Sequence, residues 1–149
     1  MLLQILSIFF FAAASAMIAM RIKVAVICKE VPMFITNEQD HAFRHGDSGP
    51  KYFIHGPKLN FGIARVLPGE VYTAHRHPRM EEDFYVLEGH PTFIIDGKTH
   101  VGKPGDFIHM DPGEVHVIKN DTNAPCLYTI TTTPFFEEGD KDEVVVDWA

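Results

Sequence analysis

The chain has 149 residues, 46% of them apolar and 22% charged, which suits one folded core and excludes a disordered polymer. Its formal net charge is −7 and its Lys and Arg form no basic run, so a nucleic-acid backbone is excluded as a partner. Two cysteines, Cys28 and Cys126, are too few for a disulfide scaffold and make no C-x-x-C pair, so both read as free thiols.

Residues 1–20 carry no charge, and three readings compete for them. Ala14-Ser15-Ala16 resembles the small-residue cleavage site of a signal peptide, although no basic stretch precedes the apolar run. The run is nearly long enough to span a bilayer and is followed by Arg21 and Lys23, as an anchor would be. Alternatively, translation begins downstream at Met17, Met20 or Met33, and this third reading is preferred. Residues 1–32 are thus a hydrophobic extension and residues 33–149 a single barrel domain. The location is cytoplasmic if translation starts downstream, and otherwise exported or membrane-anchored. Membrane contact is expected only if residues 1–20 are an anchor.

From residue 33 onwards the chain lacks a helical stripe and shows short apolar or alternating runs cut by turn residues. Residues 31–35 read as a strand, 40–50 as a polar loop and 51–55 as a short strand. Strands are then expected at 61–67, closed by Pro68-Gly69, and at 71–77, broken by Pro78. Residues 83–87 are strongly strand-like. Strands 92–95 and 98–101 flank Asp96-Gly97, a hairpin signal because both residues tolerate positive φ. Strands at 107–110, 115–119 and 126–132 follow, with a turn at Asp111-Pro112-Gly113. The acidic tail from Pro134 is expected on the surface. Strands broken by turns every 8–12 residues predict an all-β sandwich or closed barrel.

His75 and His77 stand one residue apart, so on a strand both imidazoles point to one face and reach one point in space. Glu81 and Glu82 lie just beyond, where a carboxylate can complete a ligand set from neighbouring strands. His116 follows a Pro-Gly turn on a separate strand. Each piece alone has a plainer reading, since an H-x-H pair is more often a polar surface pair.

Together the pieces resemble the cupin family. Gly69 is followed by five residues, His75-Arg76-His77, four residues, Glu82, six residues and Gly89, which meets the first cupin motif at every fixed position. Gly105, Gly113, His116 and Asn120 match the second motif. Its proline is displaced by one residue to Pro112, with Asp111 in the usual place. The resemblance implies a double-stranded β-helix, or jelly-roll barrel. It also implies one divalent metal held by His75, His77, Glu82 and His116. The six-residue spacing to Gly89 selects Glu82 over Glu81. Strand alternation then turns Glu82, Phe84 and Val86 inward and spares the barrel a second buried charge.

Three imidazoles and one carboxylate suit Fe, Mn, Ni, Cu or Zn. Four protein ligands on an octahedral ion leave two open positions, as catalytic sites require. The same alternation makes Thr73, Phe84 and Ile118 pocket neighbours. His55, His109 and Arg65 are candidates to act beside the metal, whereas His41, His45, His90 and His100 read as exposed. Asn120 reads as structural rather than as a glycosylation acceptor. The expected function is that of a metal-dependent enzyme acting on a small oxygen-bearing molecule, of dioxygenase, isomerase, decarboxylase or lyase type. The alternative is a non-catalytic small-molecule-binding or sensing cupin. A homodimer is expected, with the apolar strand at 31–35 crossing to a partner sheet.

Overall fold

In strand Glu81–Glu88 burial alternates with a period of two: Glu82, Phe84 and Val86 are buried while Glu81, Tyr85 and Leu87 are exposed. One apolar face of this kind can be hidden only by stacking a second sheet upon it. The computed structural model describes residues 33–134 and 139–148. The apolar run 1–20 and Cys28 lie outside the described residues.

Ten strands follow in order: β1 (Gly49–His55), β2 (Asn60–Val66), β3 (Val71–Arg76), β4 (Glu81–Glu88), β5 (Thr92–Ile95), β6 (Lys98–Val101), β7 (Phe107–Met110), β8 (His116–Lys119), β9 (Cys126–Thr133) and β10 (Asp142–Glu143). They form two five-stranded sheets, β1-β2-β9-β4-β7 and β10-β3-β8-β5-β6, and every neighbouring pair is antiparallel. The two sheets make the jelly-roll, or double-stranded β-helix, that the turn spacing and motifs predict.

The core lies between the sheets. Ala64, Val66, Phe84, Val86, Met110, Tyr128 and Ile130 of the first sheet meet Phe93 and Ile118 of the second. Phe84 stacks on Phe93 with ring centres 5.6 Å apart and meets Tyr128 edge-on at 4.9 Å, geometries that aromatic quadrupoles favour. The hairpin between β5 and β6 turns on Asp96 (φ 45°) and Gly97 (φ 78°), the pair of positive angles a two-residue turn needs. Asn120 is buried. Its amide donates to the carbonyls of Val66 and Ala124 at 2.9 and 2.8 Å, a structural role that leaves no room for a glycan.

Two expectations need correction. Residues 33–35 of the predicted first strand are irregular, and Met33 and Ile35 are 86% and 92% exposed; Val31 lies outside the described residues. Apolar content alone makes no strand without a neighbour to pair with, and no neighbour lies there among the described residues. The acidic tail is not simply surface. Asp142 and Glu143 pair with Arg76 and His75 as β10. Val146 and Trp148 pack on Ala74, Ile94 and Val117, on the face of the second sheet away from the main core. The predicted loop at 40–50 is shorter than expected. A 3₁₀ turn at Glu38–Asp40, capped reciprocally by Asn37 and Asp40, precedes it, and β1 already begins at Gly49.

Candidate metal centre

The H-x-H pair ends β3. His75 sits directly opposite His116 of β8, and their ring centres are 4.3 Å apart. His77 follows immediately after the strand, its ring centre 5.1 Å from that of His75, and the intervening Arg76 points to solvent. From the other sheet, β4 presents Glu82, held between Met110 of β7 and Thr132 of β9. One ligand atom from each of His75, His77, Glu82 and His116 lies within 4.8 Å of all the others, and all four residues are buried. Glu81 is exposed. The turn before β8 is tied to the site, because Gly113 N–H donates to the His77 carbonyl at 2.9 Å. Gly113 has φ 95°, a conformation that a side chain would disfavour.

Each imidazole is locked by its second nitrogen. Nδ1 of His75 donates to the Thr73 carbonyl (2.7 Å), Nδ1 of His77 to the Asp140 carbonyl (2.6 Å) and Nδ1 of His116 to the Glu114 carbonyl (3.1 Å). A carbonyl only accepts, so all three protons sit on Nδ1 and, in the neutral rings, all three Nε2 atoms carry lone pairs. Those lone pairs face one another and a carboxylate. Nε2 of His116 is 3.2 Å from Glu82 Oε2, yet it is buried without a hydrogen-bond partner. With its proton on Nδ1, this nitrogen meets the carboxylate as acceptor against acceptor. A shared cation relieves that repulsion, and the donor set is one that a divalent transition metal accepts.

The electrostatics of the protein's own side chains couple the imidazoles to Glu82. Burial pushes His75 down to about 4, and the nearby His116 and Lys141 add to this. Burial also opposes the charge on Glu82, but His116 and His77 outweigh it and hold the carboxyl at about 2. His77 moves the other way. Burial lowers its pKa, and Glu82 together with Asp140 more than reverses this.

A cavity of about 400 Å³ opens beside the cluster. Thr73, Phe84, Ile118 and His55 are among the residues that line it. Thr73 Oγ1 also donates to Glu143 at 2.8 Å, and His55 Nδ1 bonds Asn60 Oδ1 at 2.6 Å. Two expected neighbours lie elsewhere. His109 alternates with the inward Met110 and so points outward, where its Nδ1 lies 2.6 Å from Asp83 Oδ1 and its Nε2 3.3 Å from Asp111 Oδ1. Arg65 lies between the inward Ala64 and Val66, and its guanidinium covers the Phe43 ring at 4.4 Å. Period-two alternation excludes both from the interior.

Several contributors escaped the sequence. Asp140 is 2% exposed, its side chain accepts from Arg79 at 3.2 Å, and its carbonyl orients His77. A main-chain carbonyl leaves no sequence signature. Glu114 and Thr73 do leave a faint one, because each lies two residues before the histidine it orients. Arg44, Tyr52, Tyr72 and Lys141 line the cavity from elements far apart in sequence.

Residues 62–132 match the family described as Cupin domain. An uncharacterized protein of Methanocaldococcus jannaschii is 30% identical over 87 residues, which cover 58% of this chain and 70% of that protein. An oxalate-binding protein of Thermotoga maritima is 32% identical over 50% of this chain and 61% of its own length. A gentisate 1,2 dioxygenase of Aquipseudomonas alcaligenes is 33% identical over 47% of this chain, but only 20% of the dioxygenase is matched. Among solved structures, a polyketide cyclase of Streptomyces resistomycificus superposes with a TM-score of 0.66 at 19% identity, covering 77% of this chain and 87% of the cyclase. At that identity the likeness speaks for the fold.

Proposed function

Because the chain belongs to the cupin family, we propose that its four-residue cluster holds one divalent transition metal and that the protein is a metal-dependent enzyme acting on a small, oxygen-bearing molecule. The observation that carries this reading is the convergence of three Nε2 lone pairs on the Glu82 carboxylate, with every Nδ1 already committed to a carbonyl. A bound divalent ion supplies Lewis acidity to an oxygen-bearing ligand. The protein's own residues orient the imidazoles and line part of the cavity with apolar side chains. His55, fixed through Nδ1 by the buried Asn60, is the residue we assign to proton transfer at the cavity.

The resemblance to an oxalate-binding protein favours a second reading, a cupin that binds its ligand without turnover. Metal analysis of the purified protein, followed by spectra with and without dioxygen, tests both. A redox-active metal whose spectrum changes with dioxygen supports an oxygenase. Zinc supports an isomerase, a lyase or a binding role. A protein that takes up no divalent metal overturns the proposal.

We further propose a homodimer, supported by the uncovered Met33-Phe34-Ile35 segment. Light scattering across micromolar concentrations tests it, and a constant monomer mass refutes it. Among the described residues no helix is long and apolar enough to cross a membrane.

A further inference from the structure

The chain as a whole is acidic, with 20 Asp and Glu against 13 Lys and Arg. Among the described residues that line the cavity, that balance is reversed. Among the described residues of its lining, Arg44 and Lys141 are the Arg and Lys cations, and Glu82, one of the four clustered residues, is the one carboxylate. Lys141 is already engaged, its Nζ 2.7 Å from Glu143. Arg44 reaches no carboxylate within ion-pair distance among the described residues. Its guanidinium carbon instead lies 5.9 Å from the centre of the Tyr52 ring. Burial, with a smaller push from Glu82, raises Tyr52 to about 12, and burial with Glu70 does the same to Tyr72. Both hydroxyls therefore keep their protons at neutral pH; that of Tyr72 already donates to the Arg65 carbonyl at 3.5 Å, and that of Tyr52 is hydrogen-bonded to the Arg44 guanidinium. The wall also holds His45, His55 and Thr73, and its apolar and aromatic part includes Phe84, Ile118, Tyr128 and Ile130. A guanidinium with no carboxylate partner among the described residues, held beside the Tyr52 phenol, can serve as a carboxylate receptor, because the planar fork matches a carboxylate's two oxygens. A cavity of this size takes one substituted ring rather than a polymer.

Resting on the metal-centre reading, we propose that the cavity selects a small anionic ring compound whose carboxylate pairs with Arg44, while oxygens at the opposite end face His75, His77, Glu82 and His116. A cationic cavity in an acidic protein both draws such an anion in and rejects its neutral analogue.

The test uses the full-length protein loaded with zinc, so that no oxidation intervenes, and two probes with the same pair of ring hydroxyls: 3,4-dihydroxybenzoate and its uncharged methyl ester. Calorimetry on wild-type protein should show the acid binding about tenfold tighter than the ester, the size of one charge-assisted contact. In Arg44→Gln the ratio should fall to about two, mainly by weakening of the acid, while Arg44→Lys keeps an intermediate preference. Arg44 is exposed, so melting curves of the variants should overlay that of wild type. Equal affinity for the two probes in wild type, or an undiminished preference in Arg44→Gln, overturns the inference. Zinc content is measured on each sample. Its absence from wild-type protein overturns the metal-centre reading, and the Arg44-dependent ratio on the same sample still decides whether the anion site exists.

Discussion

The two ends of the barrel interior are built from the same strands and behave oppositely. On β4, Glu82 and Phe84 are two residues apart and share a face; on β8, His116 and Ile118 do the same. One step of this kind carries the chain from a cluster of four titratable side chains to an apolar core that includes Phe84, Phe93, Val86 and Tyr128. The core end is held by packing that water cannot replace. The cluster end is held by hydrogen bonds that fix ring orientation, and its acceptor groups oppose one another. Rigidity at one end is therefore what makes convergence at the other end possible.

The largest effect should come from breaking the packed end. Phe84→Ala removes a ring that touches both sheets and should cost about 3–5 kcal/mol of stability, read from denaturant unfolding. Because Glu82 precedes Phe84 on the strand, metal content per folded chain should stay near that of wild type. A normal midpoint would mean that the core does not depend on this ring.

Removing residues 139–149 strips His77 of its Asp140 acceptor and uncovers the outer face of the second sheet. Metal affinity should fall about 10–100-fold, the usual cost of losing a partner behind a histidine ligand, as titration against a chelator would show. Arg79→Gln removes a contact to the Asp140 side chain but leaves the Asp140 carbonyl in place, and it should cost less.

The third expectation concerns pH in chelator-treated protein. His75 titrates near 4 when folded against about 6.5 when unfolded. Between those values the unfolded chain binds the extra proton, so stability falls as pH drops from about 6.5 to about 4. Glu82 is held at about 2 and extends the loss below pH 4.5. His77, with its pKa raised, contributes in the opposite sense: its stabilisation is present below about 6.5 and is lost as pH rises through its folded value. In His75→Asn the loss between pH 6.5 and 4 should shrink, and a melting temperature with unchanged pH dependence would contradict this assignment.

The smallest effect belongs to the outer surface. His109→Ala removes exposed contacts to Asp83 and Asp111 and should change stability by less than about 0.5 kcal/mol with no change in metal content.

Much of this division was legible in the residues. Strands 92–95, 98–101 and 107–110 lie where alternation and the Asp96-Gly97 turn place them, and the motif spacing brings His75, His77, Glu82 and His116 together. His109 and Arg65 show a rule applied incompletely: each is flanked by inward residues, so each had to face outward. β10 was hidden because Asp142-Glu143 has no strand propensity and pairs only because the chain returns to β3. Asp140 acts through its backbone, which any residue supplies. That Arg44 and Lys141, nearly a hundred positions apart, line one cavity is a product of the fold and not of any local pattern.

The most direct test is the metal content of three purified proteins: wild type, Glu82→Gln and Glu81→Gln. Glu81 and Glu82 are chain neighbours, but one faces solvent and the other the three imidazoles. Wild type and Glu81→Gln should each carry one divalent metal per chain, and Glu82→Gln should carry almost none. Metal retained in Glu82→Gln and lost in Glu81→Gln would contradict the inward register of β4 and the site built upon it.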